Sequence, residues 1–279
     1  MHATDIETQF NPRKAVADVD AHAARFARLS AATRARRKAL LDLRYGNSPL
    51  ATLDVFPAEA PDAPLHVFLH GGYWRGRDKS DYSYIADALV PLGITTVVMN
   101  YDLCPQVELP FIVDAAHAGL AWVHAHAREW GADPSRYTAS GHSAGAHLIA
   151  AALARHGEEK VRPAQMPSAA LLISGVYELE PVLSISVNRE IRLRPEQVGP
   201  MSPLRHPPCV PVRLTVAVGG AETQGFIAQS EAFARHCAAH GANATFMNLA
   251  GRDHYTAMHL LEAPEGELAQ QVLRDLAPR

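Results

Sequence analysis

Gly141-His142-Ser143-Ala144-Gly145 follows an apolar run ending near Ala139 and opens the helix-like stretch Ala144 to His156. A serine on a sharp turn between a strand and a helix has its hydroxyl lifted out of the backbone, and glycines two residues to either side let the turn close. This is how a nucleophile is presented. The pentapeptide alone is common by chance. It gains force from His70-Gly71-Gly72-Tyr73-Trp74, which follows the apolar run Leu65 to Leu69 and offers backbone N–H groups where acyl transfer needs an oxyanion hole.

Outward from these motifs the chain alternates apolar strands with helix-like stretches. Strands are expected at Leu50 to Phe56, Leu65 to Leu69, Ile94 to Asn100, Arg136 to Ser140, Ala169 to Ser174, Val212 to Val218 and Ala244 to Leu249. Helices are expected at about Tyr82 to Leu92, Phe111 to Trp130, Ala144 to His156, Phe226 to Gly241 and Glu267 to Leu276. Such alternation implies an α/β fold, a mostly parallel sheet covered by helices on both faces, with ligands at the strands' carboxyl ends. From Asp18 to Leu43, Val19, Ala23, Phe26, Leu29, Ala32 and Leu40 recur at helical spacing, so residues 12–44 are expected to form a helical cap element. The proline-rich segment Gly175 to Pro211 reads as a lid over the site. One domain over residues 1–279 is expected.

A serine hydroxyl needs a histidine to take its proton and an acid to orient that histidine, in the chain order Ser, acid, His. His254, in Gly251-Arg252-Asp253-His254-Tyr255, lies just after the final strand and is the expected base. Asp253 is the one aspartate between Ser143 and His254, and it adjoins the histidine, so the acid is expected to be a glutamate. Glu222 lies just beyond the carboxyl end of a strand, unlike Glu158, Glu159, Glu178, Glu180, Glu190, Glu196 and Glu231. The oxyanion would be held by the N–H groups of Gly71, Gly72 and Ala144. Tyr73 and Trp74 are candidate substrate-binding walls, with core packing an equal reading for Trp74. His70 and His142 are read as shaping the turns that carry them.

The formal charge of −3 and the absence of interleaved aromatics around Arg34-Ala35-Arg36-Arg37-Lys38 argue against a nucleic-acid partner; that run reads as the solvated face of a helix. Cys104, Cys209 and Cys237 are odd in number and widely spaced, which fits a reduced, cytoplasmic protein without a metal site. Cys104 reads as a buried small residue rather than a nucleophile. Met1 to Lys14 lacks a signal-peptide pattern, and no apolar run suits a membrane span. No cofactor is expected. The expected partner is a small aromatic amide or ester, and a homodimer is the assembly entertained.

Five segments carry a likeness: His70-Gly71-Gly72-Tyr73-Trp74, Asn100-Tyr101-Asp102-Leu103-Cys104-Pro105, Gly141 to Gly145, Ser174 to Pro181, and Phe226 to Ser230. Together they resemble the serine-dependent kynurenine formamidase (arylformamidase) branch of the α/β-hydrolase superfamily, which is similar to hormone-sensitive-lipase-like esterases. The resemblance implies metal-independent hydrolysis of an aryl formamide such as N-formylkynurenine to formate and an aromatic amine. The acid of that family is commonly aspartate, where this chain has Glu222. An aryl or short-chain carboxylesterase is the alternative activity, and a catalytically silent binding module the alternative class.

Overall fold

The structure, a computed structural model, describes residues 3–155, 165–206, 208 and 212–277. Cys209, Glu158, Glu159, His156, Pro207 and Pro211 lie outside them. The strands are β1 (Leu40–Arg44), β2 (Thr52–Phe56), β3 (Ala63–Leu69), β4 (Thr95–Met99), β5 (Ala132–His142), β6 (Ala169–Ile173), β7 (Arg213–Gly219) and β8 (Asn243–Leu249). They form one sheet in the order β1-β2-β4-β3-β5-β6-β7-β8. β1 and β2 pair antiparallel, β2 joins β4 antiparallel, and every later pairing is parallel.

Both faces of the parallel strands are apolar because both are covered. Leu65, Val67 and Leu69 of β3 point into one core, shared with α5 (Leu109–His126), α6 (Ala144–Arg155) and α9 (Gln224–Ala239), whereas Phe68 points into a second. That second core holds Phe26 of α3 (Val19–Arg36), Ile85 and Leu89 of α4 (Ile85–Leu89), and Leu268 and Val272 of α10 (Glu267–Asp275). His66 lies between these apolar neighbours and satisfies both ring nitrogens on β5, with Thr138 Oγ1 at 2.8 Å and Ser140 Oγ at 2.7 Å.

The N-terminal expectation is corrected in part. Helix α3 ends at Arg36, and Leu40 begins β1, an edge strand whose exposed side chains carry no alternation to betray it. The basic run does more than face solvent: Arg36 and Arg37 pair with Asp87, and Arg34 reaches Ser83 Oγ at 2.9 Å, joining α3 to α4. Ahead of α3, α1 (Ala3–Phe10) and α2 (Pro12–Ala15) dock on the sheet's carboxyl edge. Thr223 Oγ1 donates to the Gln9 carbonyl at 2.6 Å, the Gly225 N–H donates to Gln9 Oε1 at 2.8 Å, and the Tyr73 hydroxyl bonds the Phe10 carbonyl. The segment after β6 is also more ordered than a loop. It holds α7 (Asn188–Ile191), α8 (Pro195–Met201) and two short 3-10 turns, and buries Val182, Ile191 and Val198.

Candidate active site

β5 ends at His142 and α6 begins at Ala144, which leaves Ser143 alone at the turn with φ 55°. The glycines are sterically required. A Cβ on Gly141 would stand 2.5 Å from the Gly145 backbone, and one on Gly145 would stand 2.1 Å from the Leu69 carbonyl oxygen. The Ser143 N–H donates to the Ile173 carbonyl at 2.8 Å, which fixes the turn against β6.

The loop after β3 lies beside that turn. A Cβ on Gly71 would meet Ser143 Cβ at 3.1 Å, and Gly72, at φ 120°, lies so close to the Gly76 carbonyl that no side chain fits. Among the described residues, no turn or loop backbone hydrogen bond takes up the N–H groups of Gly71, Gly72 and Ala144. His70 anchors the loop: its ring sits between Tyr101 and Tyr82, with Nδ1 2.7 Å from the Gly71 carbonyl and Nε2 2.8 Å from Asn100 Oδ1. Asn100 Nδ2 in turn donates to Asp78 at 2.7 Å.

Glu222 and His254 meet as a bonded pair. His254 Nδ1 donates to Glu222 Oε2 at 2.7 Å, and both side chains are almost fully buried. The other carboxylate oxygen accepts the Gly219 N–H at 2.8 Å and the Ser174 hydroxyl at 2.5 Å. Ser174, at φ 51° just past β6, is a residue the sequence reading passed over; its place one residue beyond a strand's carboxyl end was the available signal. His142 is a second. Its Nε2 donates to the His254 carbonyl at 2.8 Å, tying the serine turn to the histidine loop. Burial first, and the nearby His254 second, push the His142 imidazole well below its ordinary range, so it stays neutral. Phe226 closes edge-on over His254 at 4.9 Å between ring centres.

Asp253 faces elsewhere. Its Oδ1 accepts the N–H groups of Tyr255 and Thr256 at 2.9 and 2.8 Å, and Thr256 Oγ1 accepts the Asp253 N–H. Burial opposes its charge, but those hydrogen bonds more than offset it and hold the carboxyl below its usual value.

Ser143, His254, Gly71, Gly72 and Tyr73 line one cavity of about 370 Å³, within the range of small-molecule sites. Its far wall comes from Pro12, Arg13, Ala23 and Phe26 of the N-terminal helices. The Gly175 to Pro211 segment contributes Val187. Trp74 is not part of the wall. It is fully buried beneath the loop, 4.7 Å from the His147 ring, because φ values of 50° at Tyr73 and 54° at Trp74 turn the chain so that the indole packs inward. No hydrogen bond joins Ser143 Oγ to His254 here.

A family profile described as the alpha/beta hydrolase fold matches residues 66–258. The chain belongs to the α/β-hydrolase family. Its relatives include a kynurenine formamidase of Danio rerio, 28% identical over 91% of this chain and 88% of that one. A kynurenine formamidase of Drosophila melanogaster is 34% identical over 76% of this chain and 73% of its own. Among solved structures, a protein of Silicibacter sp. TM1040 described as a thioesterase superposes with a TM-score of 0.84 at 26% identity, covering 96% of this chain and 98% of that one. The protein is therefore an enzyme of the hydrolase class. Among the described residues no group of three His, Cys, Asp or Glu side chains could hold a metal ion, and no helix is long and apolar enough to cross a membrane. Cys104 and Cys237 are buried and unbridged, and burial raises the Cys104 thiol to about 11, which suits packing and not nucleophilic attack.

Proposed function

We propose that this hydrolase cleaves aryl formamides, N-formylkynurenine among them, to formate and an arylamine, with Ser143 as nucleophile, His254 as base and Glu222 as the orienting acid. The observation that carries the reading is the buried Glu222–His254 hydrogen bond opening onto the same cavity as Ser143. Ser143 Oγ attacks the formyl carbon while its proton passes to His254 Nε2. The developing oxyanion accepts from the N–H groups of Ala144, Gly71 and Gly72. His254 returns the proton to the departing aryl nitrogen, and the C–N bond breaks to leave a formyl-enzyme. Water, deprotonated by His254, then releases formate and restores Ser143. Glu222 holds the imidazole by its Nδ1–H and stabilises the imidazolium; Ser174 and Gly219 hold Glu222. Aromatic side chains on the cavity wall, Phe26, Tyr73, Tyr82 and Tyr255, suit a flat aryl group.

The formamidase relatives and the sequence motifs support the amide substrate, and the likeness to the thioesterase-described fold supports ester cleavage as the second reading. In this reading the enzyme works without a metal, as a small-molecule enzyme of the reducing cytoplasm. Steady-state rates on N-formylkynurenine and p-nitrophenyl acetate separate the two readings. A higher kcat/KM for the formamide is expected, and negligible formamide turnover beside brisk ester cleavage would establish the esterase. A fluorophosphonate probe should label Ser143; an unlabelled folded protein would mean a silent module.

A further inference from the structure

The cavity over Ser143 is electrostatically lopsided. Three arginines line it, Arg13, Arg75 and Arg77, against one carboxylate, Asp20. Arg13 is paired with Asp20 at 3.0 Å and Arg75 with Glu190 at 2.8 Å. Arg77 has no hydrogen-bond or ion-pair partner among the described residues, although it is half-buried. None of its nitrogens is among the buried unpartnered atoms, so an unpaired guanidinium reaches the cavity and is free to take an anion there. Its backbone adds a second anomaly, a φ of 75°. Left-handed backbone at a residue other than glycine costs on this scale of geometry, and such positions gather at ligand sites. The stem of Arg77 is fixed close to the oxyanion loop, with Cγ 3.1 Å from where a Cβ on Gly72 would stand. Tyr255, on the same cavity wall, is held neutral: burial pushes its hydroxyl up, Arg13 and Arg77 oppose that, Asp253 adds to it and Arg75 opposes it, and burial prevails.

We infer that Arg77 is a specificity-determining residue that binds a carboxylate carried on the leaving-group side of an aromatic substrate in this cavity. A planar carboxylate can take two N–H groups of one guanidinium, which a single unpaired arginine is shaped to offer. The assignment to the leaving-group side rests on the formamidase reading: a formyl group has no room for a charge, so the anion must sit on the aryl portion.

The test uses a matched pair of esters, so that its result does not depend on formamide turnover: the acetate of para-hydroxyphenylpropionate, which is anionic, and the acetate of para-ethylphenol, which is neutral. The readout is the ratio of kcat/KM values, anionic over neutral, within each protein, which cancels any loss of folded enzyme. The wild type should favour the anionic ester, less so as salt is added. Arg77→Gln should lower the ratio about 10- to 100-fold, mainly through KM, as expected for loss of a charged hydrogen-bond partner. Arg77→Lys should retain much of it. A wild type with no preference for the anion, or a Gln variant with an unchanged ratio, overturns the inference. N-formylkynurenine and formanilide are run alongside. Failure of both formamides with a falling ester ratio overturns the formamidase reading alone; brisk formamide turnover with an unchanged ratio overturns the Arg77 inference alone.

Discussion

Ser143 holds a left-handed backbone that costs a non-glycine residue about 1–3 kcal/mol, and the surrounding turn imposes it through Gly141, Gly145 and the bond to Ile173. Two variants separate chemistry from strain. Ser143→Ala should fold normally and lose nearly all turnover, leaving the residual of about 10³–10⁴ over water that binding and an oxyanion hole supply. Ser143→Gly should be as inactive yet more stable than Ser143→Ala by about 1 kcal/mol, because glycine adopts this φ without a steric penalty. Denaturant midpoints that rank the two the other way would remove strain from the account. The acid is tested at the same scale. Glu222→Gln should cost about 10⁴ in kcat, by analogy with loss of the charged partner in serine proteases. Asp253→Asn should leave turnover within about tenfold, since its carboxylate serves backbone N–H groups. The reverse order, with Asp253→Asn abolishing turnover, would move the acid to Asp253.

At the scale of elements, the sequence was most readable where burial on both faces forced continuous apolar runs. β3, β4, β6, β7 and β8 lie within two residues of their expected bounds, and the carboxyl ends of β7 and β8 are where Glu222 and His254 were sought, as Ser143 was at the end of β5. β1 escaped because an exposed edge strand imposes little on its side chains, and Leu40 fitted the helical spacing of the stretch before it. Trp74 could not be placed from pattern at all, since two consecutive left-handed residues decide which way the indole turns. Ser174 was legible only by its place at a strand end; its bond to Glu222, like the His142 bond to the His254 carbonyl, joins segments far apart in sequence and leaves no local pattern. The N-terminal helices give a prediction here. They are joined to the acid-bearing loop through Gln9 and to the oxyanion loop through Phe10, and they wall the cavity. Deleting residues 1–17 should raise KM for aryl substrates about tenfold or more while the sheet keeps a cooperative thermal transition. Unchanged KM in a folded truncation would show that this wall is dispensable.

For the whole molecule, buried histidines set the response to acid. Burial pushes His66 down to about 3 and His147 to about 4, the latter despite a bond from Nε2 to the Met201 carbonyl at 2.8 Å. In the unfolded chain both titrate near 6.5, so below that pH the unfolded state binds more protons than the native one. Their neutral burial therefore leaves stability intact above about pH 6.5 and drains it as pH falls toward 4 and then 3. Each pKa unit corresponds to about 1.4 kcal/mol, so these shifts are on the order of 3–5 kcal/mol each, a large part of the 5–15 kcal/mol that holds a typical domain. Asp275 works with the opposite sign. Burial raises it to about 6, so its cost is present above that pH and disappears as pH falls toward 4. The histidine effect is the larger, and urea midpoints should fall steadily from pH 6.5 to 4.5. His147→Gln should flatten that slope, whatever it does to stability at pH 8, and Asp275→Asn should raise the midpoint at pH 8 more than at pH 4.5. A midpoint independent of pH across this window would mean that His66 and His147 are protonated in the folded protein, and the neutral bonding of the central sheet would have to be redrawn.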